Sequence, residues 1–133
     1  MYFKWKYGDN MAKINLRTSL HNKTENKFFN NEVNAILDSK ETIKYLDRNV
    51  TVSIEKKENG INIIRRSDDY EIHLPLQKGK RTKGFYNVKQ LGILDMEVET
   101  TNLIIGDNTL EVEYKMILDS ESVSEFEFYI EYM

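Results

Sequence analysis

Adjacent arginines at Arg65 and Arg66 are the most suggestive anion-binding groups in the sequence, because a guanidinium presents paired donors that match a carboxylate or phosphate. Neighbouring residues on an extended strand face opposite ways, so at most one of the two turns inward. An inward Arg66 would need a partner, which makes it a candidate ligand anchor, with His73 as the other polar group in reach. An outward Arg66 would pair with Asp68 or Asp69. Tyr86, Tyr114, Met116 and Phe128 are large side chains at alternating positions. They would line a site for a small apolar or aromatic ligand, or fill a β core.

Other chemistries find less support. The basic run Lys78-Gly79-Lys80-Arg81-Thr82-Lys83, with Phe85 and Tyr86 beyond it, has the make-up of a phosphate or RNA contact and equally that of a solvated hairpin. A net charge of −3 argues against a dedicated nucleic-acid binder. No Walker loop, Gly-x-Gly-x-x-Gly, His-Glu-x-x-His or Gly-x-Ser-x-Gly occurs, so no catalytic constellation and no cofactor is implied. His21 and His73 stand alone, and a chain without cysteine has no thiolate nucleophile, disulfide or sulfur-held metal; no metal site is expected. His73, between Ile72 and Leu74 in the alternation, faces away from both and belongs to the surface or the rim.

The elements that would position these groups are strands. At 133 residues the chain suits one domain, and period-two alternation runs through it. It is clearest at Leu94/Met96/Val98/Thr100, Leu110/Val112/Tyr114/Met116/Leu118 and Phe126/Phe128/Ile130/Tyr132. The same pattern marks Ile14 to Leu20, Val33 to Leu37, Ile43/Tyr45, Val50 to Ile54, Ile61/Ile63, Tyr70 to Leu76 and Gly84 to Val88. Asn59-Gly60 suits a type I′ hairpin, and Gly106-Asp107-Asn108 and Asp119 to Ser122 suit short loops. Ser39 to Asp47 reads as a strand in preference to a short capped helix, since no helical pattern occurs elsewhere.

So many strands cannot stay open with bare edges. The expectation is an all-β fold, a single closed antiparallel up-and-down barrel of about eight to ten strands. The charge distribution suggests how it is joined. Residues 1–66 carry 13 basic and 8 acidic side chains (about +5), whereas residues 67–133 carry 6 and 14 (about −8). Pairing the last strand with the first would set Lys13 and Arg17 against Glu125, Glu127 and Glu131. The same acidic wall offers a second functional reading, a solid barrel that docks a basic partner.

No apolar run nears the ~20 residues of a spanning helix, and the opening stretch lacks the apolar core of a secretory signal, so a cytoplasmic location is expected. Residues 1–11 read as an extension that need not be native, since Met11 directly precedes the first alternating strand, and the domain occupies 12–133. The sequons at Asn22 and Asn49 then have no glycosylation role.

The series Arg66-Ser67-Asp68, Gly79, Gly84-Phe85-Tyr86, Leu91-Gly92-Ile93-Leu94, Thr100 and Leu110-Glu111-Val112-Glu113-Tyr114 resembles the DUF1934 family, bacterial proteins of YwiB type without an assigned function. The likeness spans about residues 12–133 and is most specific from Tyr86 to Thr100. It implies a lipocalin-like, calycin-type barrel in a bacterial protein and brings no activity with it. The chain departs from the family pattern at Leu74-Pro75-Leu76, where a glutamine and an aromatic are usual, and at Asp68, where a glycine is usual. The Gly-x-Trp signature of secreted lipocalins is absent.

Overall fold

A computed structural model describes residues 11–133. The extension and Trp5 lie outside the described residues, apart from Met11. Every regular element described is a strand: β1 (Ala12–Asn22), β2 (Lys27–Leu37), β3 (Ile43–Asp47), β4 (Val50–Lys57), β5 (Gly60–Arg66), β6 (Tyr70–Leu76), β7 (Arg81–Lys83), β8 (Phe85–Val88), β9 (Gly92–Leu94), β10 (Met96–Ile105), β11 (Thr109–Leu118) and β12 (Ser122–Tyr132). They form one curled, barrel-like antiparallel sheet of twelve strands, ordered β7-β10-β11-β12-β1-β2-β3-β4-β5-β6-β8-β9. Residues 43–47 are strand, with Ser39 in the turn before them.

The expected pairing of first and last strands is present, with Leu16 opposite Tyr132 and Arg17 opposite Glu131. Arg17 lies 3.8 Å from Glu131 and 3.7 Å from Glu32. Lys13 falls below the β12 register, opposite Ile36 of β2. Glu127 is met by Lys23 at 3.2 Å and Glu125 by Lys115 at 3.8 Å. The β1–β12 pair lies inside the sheet, whose end strands are β7 and β9.

The count of twelve against about eight to ten has a local cause. β7 and β8 are one chain run broken at Gly84, and β9 and β10 are one run broken at Asp95. The two runs pair in a single unbroken register: Arg81 with Glu99, Lys83 with Glu97, Tyr86 with Leu94 and Val88 with Gly92, and the Gly84 N–H donates to the Met96 carbonyl between them. A Cβ at Gly84 would meet the Met96 Cε at 2.3 Å and the His73 carbonyl at 3.0 Å, so the run narrows there to let Met96 pass. On its other side the same run reaches β6, where Phe85 pairs with His73 and the Thr82 hydroxyl donates to the Pro75 carbonyl at 2.5 Å.

Asn59-Gly60 does not form the expected type I′ turn. Lys57 pairs with Gly60, so Glu58 and Asn59 make the turn, neither with positive φ, and Gly60 belongs to β5. The core is the concave face of the sheet, where Leu16, Val52, Leu76, Met96, Val98 and Val112 have no exposed surface. Around Ile43, Ile54, Ile61, Leu110, Ile130 and Tyr132 the packing leaves a space of about 10 Å³, room for roughly one water.

Candidate functional site

Because all neighbours are antiparallel, the β1–β2, β3–β4, β5–β6, β8–β9 and β11–β12 turns gather at one end of the sheet. On the concave side near that end, Tyr45, Val52, Arg65, Ile72, Tyr86 and Leu94 form one continuous cross-strand row through β3, β4, β5, β6, β8 and β9. Arg65 is therefore a concave-face residue, its neighbours in the row being the fully buried Val52 and the half-buried Ile72.

The Arg65 side chain keeps 29% of its surface exposed and lies 3.2 Å from the Asp47 Oδ2, whose side chain is 30% exposed. The other Asp47 oxygen accepts from the Asn31 Nδ2 at 3.4 Å, which links β2 to the end of β3. Burial by itself lowers the Arg65 pKa, but the Tyr70 hydroxyl, the Asp47 carboxylate and Tyr45 together outweigh it and raise the value. The guanidinium stays charged in a place that is mostly apolar.

The tyrosines around it respond in turn. Burial pushes the Tyr45 hydroxyl up to about 12 and raises that of Tyr114 as well, each partly offset by the Arg65 charge, which reaches both rings across the concave face. Tyr114 stacks on Phe126 at 5.2 Å and Tyr70 meets Tyr86 edge-on at 6.5 Å. Opposite Tyr114, the buried Thr100 hydroxyl has no hydrogen-bond partner among the described residues.

These hydroxyls set a pH dependence. Above pH 10 unfolded tyrosines release protons that the folded chain holds, so stability is intact below pH 10 and falls as pH rises toward 12. The expected loss is about 1.4 kcal/mol per pH unit for each tyrosine held protonated. Urea unfolding at pH 9, 10 and 11 measures it, and Tyr45→Phe should flatten the decline.

Of the residues expected from sequence, Tyr86 and Tyr114 are brought to the concave face around Arg65. Met116 is the next concave-face residue beyond Tyr114 on β11, half-buried and opposite Val98. Phe128 packs in the core between Val112 and Leu20. Arg66 lies elsewhere: it is on the convex face, exposed, 2.6 Å from Glu71. It pairs neither with Asp68 nor with Asp69. Glu71 is held below the usual carboxylate range by Arg66 first and by His73 second. His73 is on the convex face too, 2.9 Å from Glu71 and edge-on to Phe85. The inward arginine is Arg65, and the signal for it was the alternation itself, since Ile61 and Ile63 lead by twos to residue 65.

Two of the four basic side chains in the run 78–83 are matched on the surface, where Arg81 pairs with Glu97 at 2.5 Å and Lys83 with Asp95 at 3.8 Å. Among the described residues no group of three or more His, Asp or Glu is arranged to hold a metal ion. No described helix is long and apolar enough to cross a membrane.

Residues 10–130 match the family described as "Domain of unknown function (DUF1934)". The chain belongs to the DUF1934 family. Its fold is similar to the crystal structure of the ywiB protein from Bacillus subtilis, with a TM-score of 0.57, 8% identity, and coverage of 92% of this chain and 91% of that one. At that identity the likeness concerns the fold alone. No curated protein was found to match the chain.

Proposed function

We propose that this DUF1934 chain is a non-enzymatic cytoplasmic protein of bacterial type that holds a small apolar or aromatic molecule at one mouth of a closed, lipocalin-like barrel. Closure is supported by the hairpin running from Arg81 to Glu99, which pairs with β6 on one side and continues into the β11 pairing on the other. Counting β7 with β8 and β9 with β10 as single strands takes the twelve to ten, the size at which an interior is filled by side chains or holds one small ligand.

The observation that carries the ligand reading is the difference between the two ends of the concave face. Around Ile43, Ile54 and Ile61 the face is packed. Toward the turns that flank Arg65, the apolar residues Leu20, Val50, Ile72, Tyr86, Met116, Leu118 and Phe126 pack on the core yet keep part of their surface in water. A concave, mostly apolar lining with a few convergent polar groups is what a small-molecule site requires.

The acidic-wall alternative has less in its favour, since Asp95, Glu97, Glu125, Glu127 and Glu131 each already face a lysine or arginine within 4 Å. Calorimetric titration with 4-phenyl-1-butanol tests the ligand reading. Saturable binding that weakens at least fivefold in Tyr86→Ala and is unchanged in Arg66→Ala supports it. Absence of binding to the wild-type chain, together with no retained small molecule in native mass spectra of protein from its own host, overturns it.

A further inference from the structure

We infer that the mouth selects molecules carrying a carboxylate, which Arg65 takes over from Asp47; this rests on the ligand site proposed above and names the chemistry of its occupant. An arginine offers five N–H donors in a fixed fork. Asp47 engages Nη2 through a single oxygen at 3.2 Å, short of the two parallel bonds a carboxylate can make with that fork. The Tyr70 hydroxyl takes a further contact on the guanidinium, and the two together fall short of its five donors, which leaves part of the fork available on the face of the sheet that also carries Tyr45, Tyr86 and Tyr114.

Asp47 is placed to give way. Its other oxygen faces the Asn31 amide at 3.4 Å, and nearly a third of its side chain is open to water. It can therefore keep a partner after Arg65 turns to a ligand. An incoming carboxylate also meets the Asp47 carboxylate within a few ångströms, a repulsion that limits its affinity and that Asp47→Asn removes. In the free protein the same Asp47 keeps a half-buried guanidinium from standing unpaired. The apolar body of the ligand would lie along Ile72, Tyr86, Met116 and Phe126, whose surfaces stay partly in water in the free chain.

The test compares two molecules of matched shape, 4-phenylbutyrate and 4-phenyl-1-butanol, by calorimetric titration at pH 7 and low salt. Wild-type protein is expected to bind the carboxylate at least tenfold more tightly. Arg65→Met should bring the two affinities together, and Asp47→Asn, which removes the competing carboxylate while keeping its shape, should widen the preference severalfold. Equal affinity for both molecules in the wild-type chain overturns the inference while the ligand site stands. If neither molecule binds, the inference is overturned, and the site falls with it when the native mass spectra also show no retained molecule. Should Arg65→Met fail to fold, Asp47→Asn decides alone: an unchanged or reduced carboxylate preference overturns the exchange.

Discussion

Gly60→Val should cost about 3 kcal/mol or more of folding stability, the most damaging single change expected in this chain. The position looks permissive, because Gly60 has no positive φ and any residue could adopt its backbone. The obstacle is space. A Cβ there would stand 2.1 Å from the Leu76 carbonyl oxygen and 3.0 Å from its carbon. Leu76 belongs to β6, paired through Ile61, so the clash is with backbone and cannot be relieved by turning a side chain. Separating β5 from β6 would pull on the row that carries Arg65. The expected cost is about 3 kcal/mol or more, at the upper end of overpacking substitutions, out of a total of about 5–15 kcal/mol for a domain. Gly79 supplies the contrast: its φ is +72 but nothing lies within 4 Å of an added Cβ, so Gly79→Ala should cost only about 1 kcal/mol, the conformational term. Urea titrations of both variants beside wild type measure the difference. A Gly60→Val protein with a wild-type midpoint would show that β5 and β6 are not packed as described.

Leu16→Ala should destabilise by about 3–4 kcal/mol, the second largest effect expected. Leu16 has no exposed surface and sits where β1 meets two neighbours, opposite Val33 of β2 and Tyr132 of β12. Truncation leaves a cavity between strands from opposite ends of the sequence, and each is held by its own ladder of backbone bonds and so cannot easily move in to fill it. The midpoint of urea unfolding should fall while the slope stays the same, because the folded chain buries the same surface elsewhere. Leu91→Ala is the control. Leu91 is 73% exposed, and the change should stay within about 0.5 kcal/mol. A loss at Leu16 no larger than at Leu91 would mean that the first and last strands contribute little to the core.

Both variants probe features with different standing in the sequence. The burial of Leu16 was legible, since it alternates with Lys13, Asn15 and Arg17 and shares a face with Ile14. The role of Gly60 was not. Beside asparagine it has the look of a turn glycine, and only the approach of β6 shows that it is kept bare for a neighbour's carbonyl. The site divides the same way. Tyr86 and Tyr114 were readable as concave-face aromatics from their period-two neighbours. Of the arginine pair, Arg66 drew attention as the candidate anchor although Ile61 and Ile63 pointed to Arg65. Asp47, Asn31 and Tyr70 had no sequence signal, because their meeting depends on where β2, β3 and β6 end.

Alternation by twos fixed the all-β class, most strand positions and the face each side chain takes, for the pleat makes facing a local property of the backbone. Opposite charges on the outer faces of β1 and β12 foretold that those strands pair, and Arg17 and Glu131 meet there. Tertiary structure decided the rest. It determined that the β1–β12 pair lies inside the sheet, with the hairpin from Arg81 to Glu99 at its ends. It also determined that Gly84 and Asp95 break that hairpin into β7, β8, β9 and the start of β10, and that Asp47 reaches Arg65 across two intervening turns. These depend on sheet curvature and on distances between residues far apart in sequence, which no local pattern encodes.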